Sequence, residues 1–162
     1  MSSISESVLF VRGAQAEVVG RAPSVTRLLT DGGATGETMS AIHTTMGSGV
    51  DGPPPHYHSG SAEIFFIIGG GLQVLAGERI FTAVAGDFLV VPPLTPHAFR
   101  TPDDTGADLL IIKPTAERFE YFRLVDRVVK GQASPAEILD NQDRFDNHFV
   151  ESKAWHEGRG NR

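Results

Sequence analysis

The sequence predicts an all-β protein, a compact antiparallel barrel or sandwich followed by one or two C-terminal helices, and three observations carry that reading. Ten prolines and eighteen glycines are spread between short apolar runs rather than pooled in one tract, which calls for many turns. Short β-rich runs recur at regular spacing from Glu63 to Lys113. After Pro114 the apolar period changes to that of a helix. With 162 residues, 40% of them hydrophobic, one globular domain over 1–162 with a real core is expected.

Taken in order, "SVTRLLT" (24–30) and "TMSAIHTTM" (38–46) read as strands around the turn-rich "DGGATGE". "EIFFII", "LQVLA", "RIFTAV", "FLVVP", "HAF" and "DLLIIK" follow, punctuated by Gly69-Gly70-Gly71, Gly77-Glu78, Gly86-Asp87 and "PPLTP". In "AERFEYFRLVDRVV", Phe119, Phe122, Val125 and Val129 recur at three- and four-residue steps, as on one helical face, and Gly131 is a plausible stop. Ser134, Pro135 and Glu137 have the spacing of an N-cap, a first-turn proline and a capping-box acid, so a second short helix is expected there. The end, "EGRGNR", reads as frayed, and neither a domain boundary nor an internal repeat is visible.

Composition excludes several functions. The chain has no cysteine, which removes disulfide scaffolds, thiolate zinc sites and cysteine nucleophiles, so any metal must bind nitrogen and oxygen. A net charge of −6 without a basic cluster argues against nucleic acid and against an anionic membrane surface. No apolar run approaches the ~20 residues of a membrane span, and the polar start "MSSISES" lacks a signal peptide's charged and hydrophobic regions. A cytoplasmic protein is the expectation.

"HYHSGSAE" (56–63) carries the chemistry. His56 and His58 are two apart, so on an extended strand both imidazoles project from one face. Glu63 would have the wrong parity on an uninterrupted strand, but Ser59-Gly60-Ser61 is turn chemistry and resets it. His97, at the head of "HAF", is a fourth candidate. Three imidazoles and one carboxylate form a recognised set for a first-row metal.

Over residues 49–99 these motifs resemble those of the cupin superfamily. The first motif reads "GPPPHYHSGSAEIFFIIGG", with His56, His58 and Glu63 in the ligand positions and Gly70 at its end; Gly49 and Gly52 flank the usual opening glycine. The second reads "GDFLVVPPLTPHAFRT", with Gly86, Pro92 and His97 matching, Leu94 in place of a glycine and Thr101 in place of an asparagine. Neither replaced residue is a ligand, so these departures bear on turn geometry. The resemblance implies a single-domain jelly-roll β-barrel with its core at about 36–113 and a helical segment at about 115–147. It also implies one divalent transition metal ion, for which Fe, Ni, Mn, Co, Cu and Zn all suit the ligand set.

Phe65, Ile67 and Phe99 share parity with Glu63 or His97 and are expected to face the barrel interior as pocket-lining residues, and His43 is a further pocket candidate. Tyr57 is expected to point the other way, Phe119 and Phe122 to bury a helix face on the barrel, and His148 and His156 to be solvated. Four protein ligands on a six-coordinate ion leave two adjacent positions, which suits a bidentate small molecule such as an enol or catechol. Glu63 could remain a ligand or accept the substrate's proton as the catalytic base. Three classes follow: an oxygenase resembling the flavonol or β-diketone dioxygenases, a non-redox isomerase, decarboxylase or polyketide-cyclase-like enzyme, and a metal-containing binding module without turnover. "EIFFII" is apolar at both parities, Phe66 and Ile68 outward as well as Phe65 and Ile67 inward, which leads to the expectation of a homodimer.

Overall fold

The computed structural model describes residues 8–159; the "MSSISES" start and the last three residues of the chain lie outside that range. The first strands are β1 (Glu17–Arg21), β2 (Ser24–Thr30) and β3 (Met39–Met46), paired in sequence as an antiparallel meander. Next come β4 (His56–Tyr57), β5 (Glu63–Ala76), β6 (Arg79–Val84), β7 (Phe88–Val91), β8 (His97–Arg100) and β9 (Ala107–Pro114). β10 (His148–Phe149) returns from the C-terminal region to pair with β4. The order β1-β2-β3-β9-β5-β8-β4-β10, with β6 and β7 also on β5, is consistent with the jelly-roll architecture that the motif resemblance implies.

β5 departs from the sequence expectation. The sequence places a break at Gly69-Gly70-Gly71 between two strands, whereas the chain runs through as one strand of 14 residues. Its first half pairs with β7 and β9, and its second half with β6 and β8, so β5 belongs to both sheets. The glycines make the bend between them possible. The register against β9 shifts between Ile67 and Gly69, Gly70 has φ +73°, and a Cβ there would stand 1.9 Å from the Gly106 carbonyl oxygen.

Alternation on each strand sorts core from surface. Glu63, Phe65 and Ile67 are buried on β5, as are Leu109 and Ile111 on β9, and the apolar ones pack with Leu28, Ile42, Met46, Val74 and Phe99 in the main core. The Ser134 cap is realised as read: its hydroxyl accepts from the Ala136 N–H at 3.2 Å and Glu137 accepts from the Ser134 N–H at 3.1 Å, opening α2 (Pro135–Leu139). In α1 (Phe119–Val129), Phe119 and Phe122 pack on the main core, while Tyr121 and Leu124 form a separate cluster with Phe145 of α3 (Gln142–Phe145).

The C-terminal region is more ordered than the sequence suggests. Glu157 and Gly158, read as frayed, lie in α4 (Lys153–Arg159), whose Trp155 is buried against Leu75 and Ala98. His148 is half-buried, its ring stacked on Tyr57 at 5.0 Å, while His156 is exposed as expected. Such docking depends on tertiary partners, and nothing in the local period of "NHFVESKAW" announces it. Among the described residues no helix is long and apolar enough to cross a membrane.

Candidate metal centre

The barrel brings the four predicted ligands to one point. His56 pairs directly with His97 across β4 and β8, His58 follows on the same chain segment, and Glu63 opens β5 after the bend at Ser59-Gly60-Ser61. All four side chains are buried, and one ligand atom from each lies within 4.8 Å of the others.

Hydrogen bonding fixes the tautomers. Nδ1 of His56 faces the Pro54 carbonyl at 2.8 Å, Nδ1 of His58 that of Asp146 at 2.6 Å, and Nδ1 of His97 that of Thr95 at 2.9 Å. A carbonyl only accepts, so each Nδ1 carries a proton and, in a neutral ring, each Nε2 presents a lone pair. Nε2 of His97 and of His58 then stand 2.8 and 3.3 Å from Glu63 Oε2, acceptor against acceptor. Only a shared cation, a metal ion or added protons, satisfies that arrangement. Three imidazole nitrogens and one carboxylate oxygen, oriented by their outer bonds, fit a divalent first-row ion.

Burial, reinforced by the neighbouring His97, pushes the His56 imidazole down to about 3, so it is a neutral donor throughout the physiological range. Burial alone would raise the Glu63 carboxyl. Protons on the facing Nε2 atoms of His58 and His97, one form of that shared cation, outweigh it and hold the group well below the usual carboxylate range.

Comparison with known proteins bears on the fold that holds this site. The family model for the cupin domain matches residues 42–113. Residues 42–113 form a cupin domain. Among solved structures the chain is similar to the polyketide cyclase RemF from Streptomyces resistomycificus, at 16% identity and TM-score 0.58, over 68% of this chain and 82% of that one. An RmlC-like cupin from Shewanella frigidimarina gives 21% and 0.58, over 71% and 96%. KdgF from Halomonas sp. gives 16% and 0.56, over 67% and 94%. At such identities the likeness shows the fold. No curated protein matches the sequence.

Within this domain the two departures from motif are structurally absorbed. Leu94 adopts φ +63° where the superfamily motif has glycine, a left-handed conformation that costs an L-residue roughly 1–2 kcal/mol, and its N–H donates to the His58 carbonyl at 2.7 Å. Thr101 is fully buried, with its hydroxyl donating to the Gly47 carbonyl at 2.6 Å and accepting from the Val50 N–H at 2.8 Å.

His56, Glu63 and Phe99 line a cavity of about 550 Å³ inside the cupin barrel, with Ile42, Thr44 and Met46 of β3 on another wall. Phe122, Val125 and Val129 of α1 and Phe149 of β10 complete it. His43 is not in that lining. Parity turns it to the opposite face of β3 from Thr44, where its Nε2 bonds the Asp108 carboxylate. Phe65 and Ile67 face inward as expected but stand in the packed core outside that lining, with Phe65 edge-on to Phe99 at 5.6 Å.

Asp146 was not legible as a site residue. Its carboxylate accepts from the Ser59 N–H at 2.7 Å, the Ser59 hydroxyl at 2.6 Å and the Gly60 N–H at 2.8 Å, while its own carbonyl orients His58. Burial works to raise this carboxyl, but those three donors hold it down at about 2. No spacing in the sequence ties residue 146 to residues 59 and 60. Asp146→Ala is expected to weaken metal binding about 10–100-fold with all four ligands intact. Competition against a chelator measures this, and an unchanged affinity would show that the bend holds His58 without the clamp.

Proposed function

We propose that this protein is a metal-dependent cupin enzyme acting on a small, aromatic or enolisable organic substrate, as a dioxygenase. The observation that carries the reading is the convergence of four buried acceptor atoms beside a largely apolar cavity large enough for a bicyclic molecule. His56, His58, Glu63 and His97 would hold a first-row ion, which would supply Lewis acidity to a bound substrate oxygen. Phe99, Ile111 and Phe122 hold the flat apolar body and exclude water from it. Glu63, the one acid among the ligands, takes the proton of the substrate hydroxyl on its carboxylate oxygen.

Oxygen uptake by metal-loaded protein with flavonols, β-diketones and catechols tests the proposal. One dioxygen consumed per substrate converted is the expected result. Conversion that proceeds equally under argon would replace the oxygenase by a non-redox isomerase, decarboxylase or cyclase, and binding without conversion would leave a binding module.

We also infer that the protein is a homodimer. Phe66 and Ile68 of β5 are 39% and 47% exposed, and Phe88 and Val90 of β7, 65% and 49% exposed, lie on the same outer face, Phe66 directly opposite Phe88. The helices do not cover this face; α1 packs by the cavity and α4 against β6 and β8. A second copy supplies the cover that a sheet apolar on both faces needs. Light scattering at micromolar concentration should give twice the 17.4 kDa chain mass, and Phe66→Glu with Phe88→Glu should give the single mass. A monomeric wild type would refute the inference.

A further inference from the structure

The large cavity contains one buried cation and one buried donor that the metal chemistry does not use. Arg118 is buried; its Nη1 donates to the Phe145 carbonyl and its Nη2 to Asn147 Oδ1 at 3.3 Å. Its guanidinium lies over the Tyr121 ring at 4.5 Å and the Phe122 ring at 5.7 Å. Among the described residues no carboxylate stands within ion-pair distance of that guanidinium. Two of its five N–H donors are engaged by protein oxygens, and the carboxylates of Glu63, Asp146 and Asp31 attract its charge only from beyond ion-pair distance.

Asn147 is 2% exposed, and its Nδ2 has no hydrogen-bond partner. The amide cannot be turned round to remedy this. Arginine has no acceptor, so the atom facing Arg118 must be the oxygen and the orphan must be the NH₂. Both residues line the cavity that His56 and Glu63 line, and most of the remaining lining is apolar. Two adjacent donors, one of them cationic, in an apolar enclosure match a pair of anionic oxygens on an apolar body. The other cation in this lining, Arg21, is exposed, so one buried cation faces the enclosure, which suits a singly charged group better than a phosphate.

We propose that Arg118 and Asn147 form a carboxylate-binding subsite, so that the molecule occupying this cavity is an aromatic or alicyclic acid anion. The proposal deepens the enzymatic reading by naming the substrate class, and it rests on that reading only in taking the cavity's occupant to be the substrate.

Calorimetric titration of the full-length protein with 2-naphthoate and its neutral isostere 2-naphthamide tests it, with metal loaded and again after chelation. Wild type should prefer the carboxylate roughly 10–100-fold in both states, the scale of hydrogen bonds to a charged group. Asn147→Asp keeps the size and the acceptor facing Arg118 but sets a second carboxylate oxygen where the donor was; it should abolish the preference. Asn147→Leu should reduce it at least tenfold, and circular dichroism establishes that each variant is folded. A wild type without preference, a preference confined to the metal-loaded protein, or one that survives in whichever variants fold would each overturn the subsite. Failure of the oxygenase reading leaves a different signature, naphthoate discrimination intact with no dioxygen consumed.

Discussion

Replacing His58 or His97 by alanine is expected to abolish stoichiometric metal binding while leaving the barrel folded. Each imidazole contributes an Nε2 lone pair whose direction is set by an Nδ1–H bond to a backbone carbonyl, and no other described histidine, cysteine, aspartate or glutamate joins the cluster to replace it. The fold should survive because the core that closes the barrel is built from Phe65, Ile67, Leu72, Leu109 and their neighbours. Each substitution opens a small void and strands one carbonyl, a cost of about 1–3 kcal/mol that a domain of this size withstands. Elemental analysis of the purified variants, paired with circular dichroism, measures both halves of the prediction. Full occupancy in both folded variants would remove the ligand assignment.

Glu63→Gln should separate the two roles proposed for this carboxylate. The amide retains an oxygen of similar position, so at saturating metal the variant is expected to load. It cannot accept the substrate's proton, and turnover should fall roughly 10²–10⁴-fold, the usual scale for removing a general base. The variant has a second consequence particular to this site: its NH₂ can donate to Nε2 of His97 or His58, which satisfies the acceptors that otherwise face each other and favours the metal-free form. Activity must therefore be normalised to bound metal. If activity simply tracks metal content, Glu63 is a ligand alone, and if the loaded variant turns over at the wild-type rate the deprotonation argument fails.

Local pattern made most of the barrel legible. The His-x-His spacing, the parity reset at Ser59-Gly60-Ser61 and the alternation of "EIFFII" are consequences of two-residue periodicity, and the structure brings His56, His58, Glu63 and His97 together accordingly. His43 shows where such reasoning stops. "AIHTTM" does not alternate cleanly, so its inward face could be fixed only by pairing with β9. The triple glycine misled in the same way, since residues that permit a turn equally permit a bent strand to pass from one sheet to the other. Arg118, Asp146 and Asn147 were invisible because their contacts span long sequence separations: 29 residues from Arg118 to Asn147 and 87 from Asp146 to Ser59.

The cupin match ends at residue 113, and all four candidate metal ligands precede that point, whereas Arg118, Phe122, Asn147 and Phe149 of the cavity wall follow it. The candidate ligands thus lie wholly within the matched stretch, while the cavity wall draws on both sides of its end, Ile42, Phe99 and Ile111 before it and the C-terminal residues after it. The segment after β9 meets the candidate metal centre where Asp146 grips the bend after His58 and β10 pairs with β4. Substitutions at Phe122 or Val125 therefore reshape one wall of the cavity without touching a candidate ligand or that joint.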